Sequence, residues 1–311
     1  MLELLILALL SPTAQGFLEQ SESSYQLPKI EVLDPSRIPQ KKNKKVTPVL
    51  LDDPATAILA MDLDSSKILL SSHSTRSQPI ASLTKLMTAL VILENHELDE
   101  VVTTPLEATK INSSTIDIYQ YEQLNVGTLL EAILIGSAND AAVALAIFHS
   151  GSEAEFVREM NERAKQLDLD SAKFYNSTGL DVLEPREEDD PKDTEPEILA
   201  NLMSAQDVAR LARIVLQYDF VREAIAQPHF YGTSVDEEFF HEKPSTNQLL
   251  GTFLNLKGMK TGYTYMAGEC FIALGETEMG NEVMTIILGS SDRFGETKKL
   301  LSWIYDSFEW R

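Results

Sequence analysis

Ser82 and Lys85 stand three residues apart in the run Pro79-Ile-Ala-Ser-Leu-Thr-Lys-Leu-Met-Thr-Ala-Leu-Val-Ile-Leu-Glu94. On a helix that spacing makes them neighbours on one face of a single turn. A serine hydroxyl is a weak nucleophile until a nearby base takes its proton, and an amine one turn away serves if it is held neutral. The start of a helix helps twice: its unpaired N–H groups can stabilise an oxyanion, and the positive end of its dipole disfavours a second positive charge on Lys85. The plain alternative is a capping Ser followed by a surface Lys, and Ser-x-x-Lys alone occurs by chance about once in a chain of this size. Against that stands the company it keeps. Apolar residues at 83, 86, 87 and 90–93 wrap nearly the whole helix circumference, leaving little polar face for a solvated lysine.

Two further clusters carry usable groups. Ser137-Ala138-Asn139 falls between two helical patterns, where a hydroxyl and an amide can be presented to one cavity; Ser245-Thr246-Asn247 matches the same spacing, and either reads equally well as a cap or turn. Lys260-Thr261-Gly262 lies in a strand-like run. A strand glycine often marks close approach of another backbone, and an edge strand can bind an extended peptide through its main chain. Lys260 would supply a fixed cation and Thr261 a hydroxyl, or Lys260 would simply guard a strand edge against aggregation.

The elements that must position these groups can be read from periodicity. Residues 55–62 and 67–71 read as a strand hairpin, and the Ser82 helix follows, starting close to Ser82. Residues 103–121 are mixed and polar, with a loop at Asn112-Ser113-Ser114. Helical patterns follow at 125–134, 139–149, 153–167, 204–218 and 221–227, and strands at 254–265, 269–275 and 282–289 precede an amphipathic helix over 296–308. Strands thus bracket a helical middle. The expected class is α+β: an antiparallel sheet of about five strands, packed by the first and last helices, with a helical lobe over about 100–230 and a cleft between them.

Composition narrows the chemistry. The 311 residues are 43% hydrophobic, enough for a sizeable core, and the net charge of −22 argues against nucleic acid as a partner. One cysteine, Cys270, rules out an internal disulfide and a cysteine-based zinc site, and the five histidines show no ligand spacing, so a metal enzyme is not expected. Residues 1–16 read as a secretory signal peptide or short anchor, though Glu3 stands where a positive charge is usual; this predicts export. Residues 17–48, ending in Lys-Lys-Asn-Lys-Lys, read as a flexible polar linker, and a catalytic domain is expected over 49–311. Residues 184–197 hold eight carboxylates and three prolines and read as an exposed acidic loop.

Ser-x-x-Lys, Ser-x-Asn and Lys-Thr-Gly in this order resemble, with Ala138 in place of Asp, the motif set of class A β-lactamases and penicillin-binding proteins. From about residue 49 onward the chain is similar to the serine D-alanyl-D-alanine carboxypeptidases. Ala-Ser-Leu-Thr-Lys-Leu-Met-Thr-Ala, Ile-Gly-Ser-Ala-Asn-Asp-Ala-Ala, Asn-Ser-Thr-Gly-Leu-Asp and Gly-Met-Lys-Thr-Gly-Tyr-Thr all carry the likeness. The resemblance implies a β-lactamase/transpeptidase-like fold. It also implies removal of the terminal D-Ala from peptidoglycan stem peptides ending in D-Ala-D-Ala, without metal or cofactor, and covalent inhibition by β-lactam antibiotics. By the same resemblance Ser82 is the nucleophile and Lys85 its base, Ser137 and Asn139 assist proton transfer and amide binding, and Lys260 holds the proton network. The N–H groups of Ser82 and Tyr263, beside Gly262, would form the oxyanion hole, and Arg293 with Thr261 would take the substrate carboxylate.

There are departures. Ile118-Tyr-Gln-Tyr-Glu-Gln replaces the family's glycine-containing turn before the second motif, and the acidic loop looks like an insertion. The sequence reaches Arg311 without the β-rich second domain and membrane helix that many members carry. Two rival readings stay open: a serine β-lactamase, for which Glu195-Pro196-Glu197 resembles the deacylating loop, and a non-catalytic penicillin- or wall-binding module on the same scaffold.

Overall fold

The computed structural model describes residues 38–42, 57–183, 197–253 and 255–310, all within the compact unit from Pro35 to Arg311. The expected signal peptide at 1–16 and most of the linker lie outside the described residues, as does the acidic loop apart from Glu197.

In chain order the elements that matter for the site are strands β1 (Ala57–Asp62) and β2 (Ile68–Ser72), and helix α1 (Lys85–Asn95). Then come α2 (Val126–Ile135), α3 (Asn139–Ser150), α4 (Glu153–Gln166), α5 (Ala205–Val215) and α6 (Asp219–Ile225). A hairpin of β3 (His229–Thr233) and β4 (Phe240–Pro244) follows, then β5 (Asn255–Thr264), β6 (Gly268–Glu276), β7 (Glu282–Ser290) and helix α7 (Arg293–Ser307). Five strands form one sheet in the order β5-β6-β7-β1-β2, every pairing antiparallel.

Strand alternation divides the core in two. Ala57, Leu59 and Met61 of β1 face a cluster with α1, α2, α3 and α5, while Ile58 and Ala60 face Leu300, Leu301 and Ile304 of α7. All six residues of β1 are buried, as a strand covered on both faces must be. Helix α1 runs through the larger cluster with every residue from Lys85 to Ile92 buried, so its lysine enters the interior with it. Its start differs from the sequence reading. A 3-10 turn, Ala81–Thr84, carries Ser82, and the α-helix proper begins at Lys85.

The hairpin β3–β4 was not legible in the sequence. It pairs antiparallel from His229↔Pro244 to Thr233↔Phe240 and covers the 113–122 segment: the buried His241 places Nδ1 2.8 Å from the Ile116 carbonyl and Nε2 2.7 Å from Glu122. In that segment Tyr121 holds φ +66° and is 73% exposed. A left-handed backbone costs a non-glycine residue about 1–2 kcal/mol, whereas glycine's extra chain entropy costs about 0.5–1 kcal/mol. Tyr121→Gly is therefore expected to stabilise the fold by about 0.5 kcal/mol and Tyr121→Val to weaken it. Urea denaturation midpoints check both; a Val variant as stable as the Gly variant would show that the turn does not demand this geometry.

Candidate active site

The turn that carries Ser82 is held by close backbone contact. Ala81 has φ +47°, a left-handed conformation forced on a residue with a side chain, and its carbonyl accepts from Thr84 Oγ1 at 2.8 Å. Two glycines approach it. A Cβ on Gly262 of β5 would lie 3.0 Å from the backbone N of Ser82, and one on Gly179 would lie 2.0 Å from the Ala81 carbonyl oxygen. Any side chain at Gly179 would displace the residue before Ser82. The turn bearing Gly179 is built by Asn176, whose Oδ1 accepts from Thr178 N at 3.1 Å, Thr178 Oγ1 at 3.0 Å and Gly179 N at 2.6 Å.

That turn also supplies a partner to Lys85. The Lys85 Nζ meets the Thr178 carbonyl at 2.6 Å, Asn139 Oδ1 at 2.6 Å and Ser82 Oγ at 3.1 Å. The first two are acceptors only, so they take two N–H bonds. A neutral amine then has its lone pair left for the Ser82 hydroxyl. Burial holds Lys85 well below the ordinary lysine value, Lys260 and Lys243 repel its proton further, and Asp140 opposes them. The arrangement therefore favours a neutral amine that can accept the Ser82 proton.

Asn139 opens α3, and its amide is used at both ends: Nδ2 donates to the Ser113 carbonyl at 2.5 Å while Oδ1 faces Lys85. Ser137, at φ +58° between α2 and α3, lines the cleft beside it. Lys260 is fully buried, donates to the Thr261 carbonyl at 3.0 Å, and is brought down to about 7 by burial and then by repulsion from Arg293 and Lys243. Thr261 Oγ1 donates to Thr246 Oγ1 at 2.6 Å. Arg293, the first residue of α7, donates from Nη1 to the Gly262 carbonyl at 2.8 Å, and its buried Nε has no partner among the described residues.

A cleft of about 160 Å³ gathers Ser82, Ser137, Asn139, Thr261, Gly262, Tyr263 and Arg293 on one wall system, with Lys85 and Lys260 buried behind it. Ser113, Ser114, Leu180 and Thr246 complete the lining. A hollow of about 580 Å³ near Tyr305, Phe308 and Trp310 is larger but contains none of these groups. Sequence reading assigned no role to Thr178, Gly179 or Lys243. Thr246 was noted only as the middle of a second Ser-x-Asn, whose own serine and asparagine do form local turn bonds. No group of His, Cys, Asp or Glu among the described residues could hold a metal ion.

The family model described as D-alanyl-D-alanine carboxypeptidase (peptidase S11) matches residues 42–292. The chain belongs to this family. Among D-alanyl-D-alanine carboxypeptidases it is 31% identical to DacF of Bacillus subtilis over 86% of this chain and 66% of that protein. It is also 26% identical to a D-alanyl-D-alanine endopeptidase of Escherichia coli, over 79% of this chain and 76% of the relative. The chain spans 66% and 62% of the length of DacF and of Escherichia coli DacC. Among solved structures, ampicillin-bound penicillin-binding protein D2 of Listeria monocytogenes superposes with a TM-score of 0.66 at 30% identity, covering 82% of this chain and 99% of that one. The Streptomyces K15 DD-transpeptidase, at 22% identity and a TM-score of 0.69 over 80% of this chain and 96% of that one, shares the fold. The α+β class and five-stranded antiparallel sheet expected from the sequence are those of this peptidase family.

The carboxypeptidase-family site depends on the backbone approach at Gly179, and that can be separated from glycine's conformational freedom. Gly151 also has positive φ, at +76°, but nothing lies within 4 Å of its absent Cβ. Gly151→Ala is expected to cost about 1 kcal/mol and Gly179→Ala about 2–5 kcal/mol, with loss of Ser82 reactivity only in the latter. Equal costs in chemical denaturation would show that the close contact at Ala81 is unimportant.

Proposed function

We propose that this chain is a serine D-alanyl-D-alanine carboxypeptidase, removing the terminal D-Ala of peptidoglycan stem peptides through an acyl-enzyme on Ser82. The observation that carries the reading is the buried Lys85 amine, 3.1 Å from Ser82 Oγ with two carbonyl-type acceptors on its other sides. Lys85 takes the Ser82 proton as Oγ attacks the penultimate D-Ala carbonyl. The N–H groups of Ser82 and Tyr263 hold the oxyanion. Ser137, which lines the same cleft, passes a proton to the leaving amine, and water then attacks the ester. Arg293 and Thr261 take the free carboxylate of the leaving D-Ala. Family membership supports work on peptidoglycan outside the cytoplasm, in keeping with residues 1–16 read as an export signal or tether. Residues 49–311 then constitute the catalytic unit.

The endopeptidase and transpeptidase names among the relatives mark reactions that differ only in substrate or acceptor. A β-lactamase reading needs a second base against the ester. No carboxylate lines the cleft among the described residues; Glu197 is exposed, and Glu195 lies outside them. A β-lactam should accordingly acylate Ser82 and stay. The test is intact mass after benzylpenicillin together with D-Ala release from a D-Ala-D-Ala peptide. A long-lived adduct and peptide turnover, both absent in Ser82→Ala, are expected. Rapid penicillin turnover would install the β-lactamase, and an adduct without peptide turnover the binding module.

Recognition of the free carboxylate is tested separately. Arg293→Ala is expected to lose about 2–5 kcal/mol of kcat/KM on a free-acid peptide and much less on its C-terminal amide. Equal losses on the two substrates would remove Arg293 from this role.

A further inference from the structure

Lys243 stands on β4, outside every motif, and its side chain crosses to the segment whose Ser113 and Ser114 line the cleft. The stem lies flat over Gly136: a Cβ there would meet Lys243 Cδ at 2.8 Å and Cγ at 3.1 Å. Its Nζ then donates to Ser114 Oγ at 3.0 Å and to the Thr115 carbonyl at 2.9 Å. Ser114 has one hydroxyl proton, and Oγ gives it to the Ser137 carbonyl at 3.2 Å. It must therefore accept from Lys243.

The segment so fastened reaches the centre of the site. The Ser114 carbonyl accepts from Asn139 N at 2.8 Å, and the Ser113 carbonyl accepts from Asn139 Nδ2. With its nitrogen end taken, the amide shows its oxygen to Lys85, 2.6 Å away. Asp140 ties the other side of the segment through Ile116 N at 3.0 Å.

We propose that Lys243 is a positioning residue for the acyl-transfer site: it fastens the 113–115 segment, and through it fixes the Asn139 amide against Lys85 while adding a positive charge beside the cleft. The inference rests on the carboxypeptidase reading of that site. The charge has a direction of effect. Lys85 faces Lys260 from β5, Lys243 from β4 and Asp140 from α3. Lys260 faces Arg293 and Lys243, and Lys243 faces Asp140 and Asp117. Removing the Lys243 charge removes one repulsion, so Lys85 holds its proton to higher pH. The acid limb of the rate profile then moves upward in pH.

The test is the rate of Ser82 acylation by benzylpenicillin, read by intact mass across about pH 5–9, for the wild type, Lys243→Met, Lys243→Arg and Ser114→Ala. Met keeps the stem over Gly136 and loses the charge. Its acid limb is expected to move to higher pH, and acylation on that limb to slow about tenfold for every pH unit the limb moves. Arg keeps the charge and is expected to hold the wild-type limb. Ser114→Ala is expected to slow acylation at every pH without moving the limb. A Met profile that superimposes on the wild type, or Met and Arg slowed alike at every pH, overturns the proposal. Should the Met variant not fold, a Ser114→Ala rate equal to wild type overturns it. A wild type that never acylates overturns the carboxypeptidase reading itself.

Discussion

Burial of one amine organises this molecule. Lys85 enters the core because α1 is apolar on almost every side, and a charged ammonium there would cost on the order of several kcal/mol. The neutral form escapes most of that cost, but only if its two protons find acceptors. The Thr178 carbonyl and Asn139 Oδ1 are those acceptors, and they come from segments 93 and 54 residues away in the chain. Fold and reactivity are thus one constraint. The helix that closes the larger core also carries the buried amine, and the loops that satisfy that amine shape the cleft.

The same logic explains why so much of the site is backbone. Ala81 is held left-handed, Gly179 and Gly262 leave no room beside it, and Asn201 Nδ2 ties Thr84 Oγ1 to the Asn176 carbonyl. Side chains at a cleft can swing, whereas main chain pressed against main chain cannot. Pre-organisation of Ser82 therefore rests on the absence of two β-carbons.

Much of the arrangement was legible in the sequence, and the reasons are physical. The five strands and main helices announce themselves because their faces meet different surroundings, and Ser82, Lys85 and Lys260 stand out as polar groups among apolar ones. What escaped was set by tertiary contact. The β3–β4 hairpin exposes Tyr231 and Phe240 and lacks a two-residue turn, so neither alternation nor turn chemistry marks it. The 3-10 start of α1 coincides with the left-handed Ala81, which no local propensity encodes. Lys243 reads as an ordinary surface charge until Gly136 lets its stem lie across the backbone. Thr246 belongs to a local turn by its neighbours and to the cleft by its hydroxyl.

The lone thiol of the chain has a practical side. Cys270 sits wholly inside β6, and burial pushes it up to about 12, so at neutral pH only about one molecule in 10⁵ carries the reactive thiolate. Alkylating reagents should find almost nothing to attack. A cysteine introduced at Tyr265, which is 89% exposed just beyond the end of β5, would then be the only accessible thiol for a maleimide dye. The molecule comes ready for a fluorescent reporter two residues from the cleft-lining Tyr263, with no native thiol to remove first.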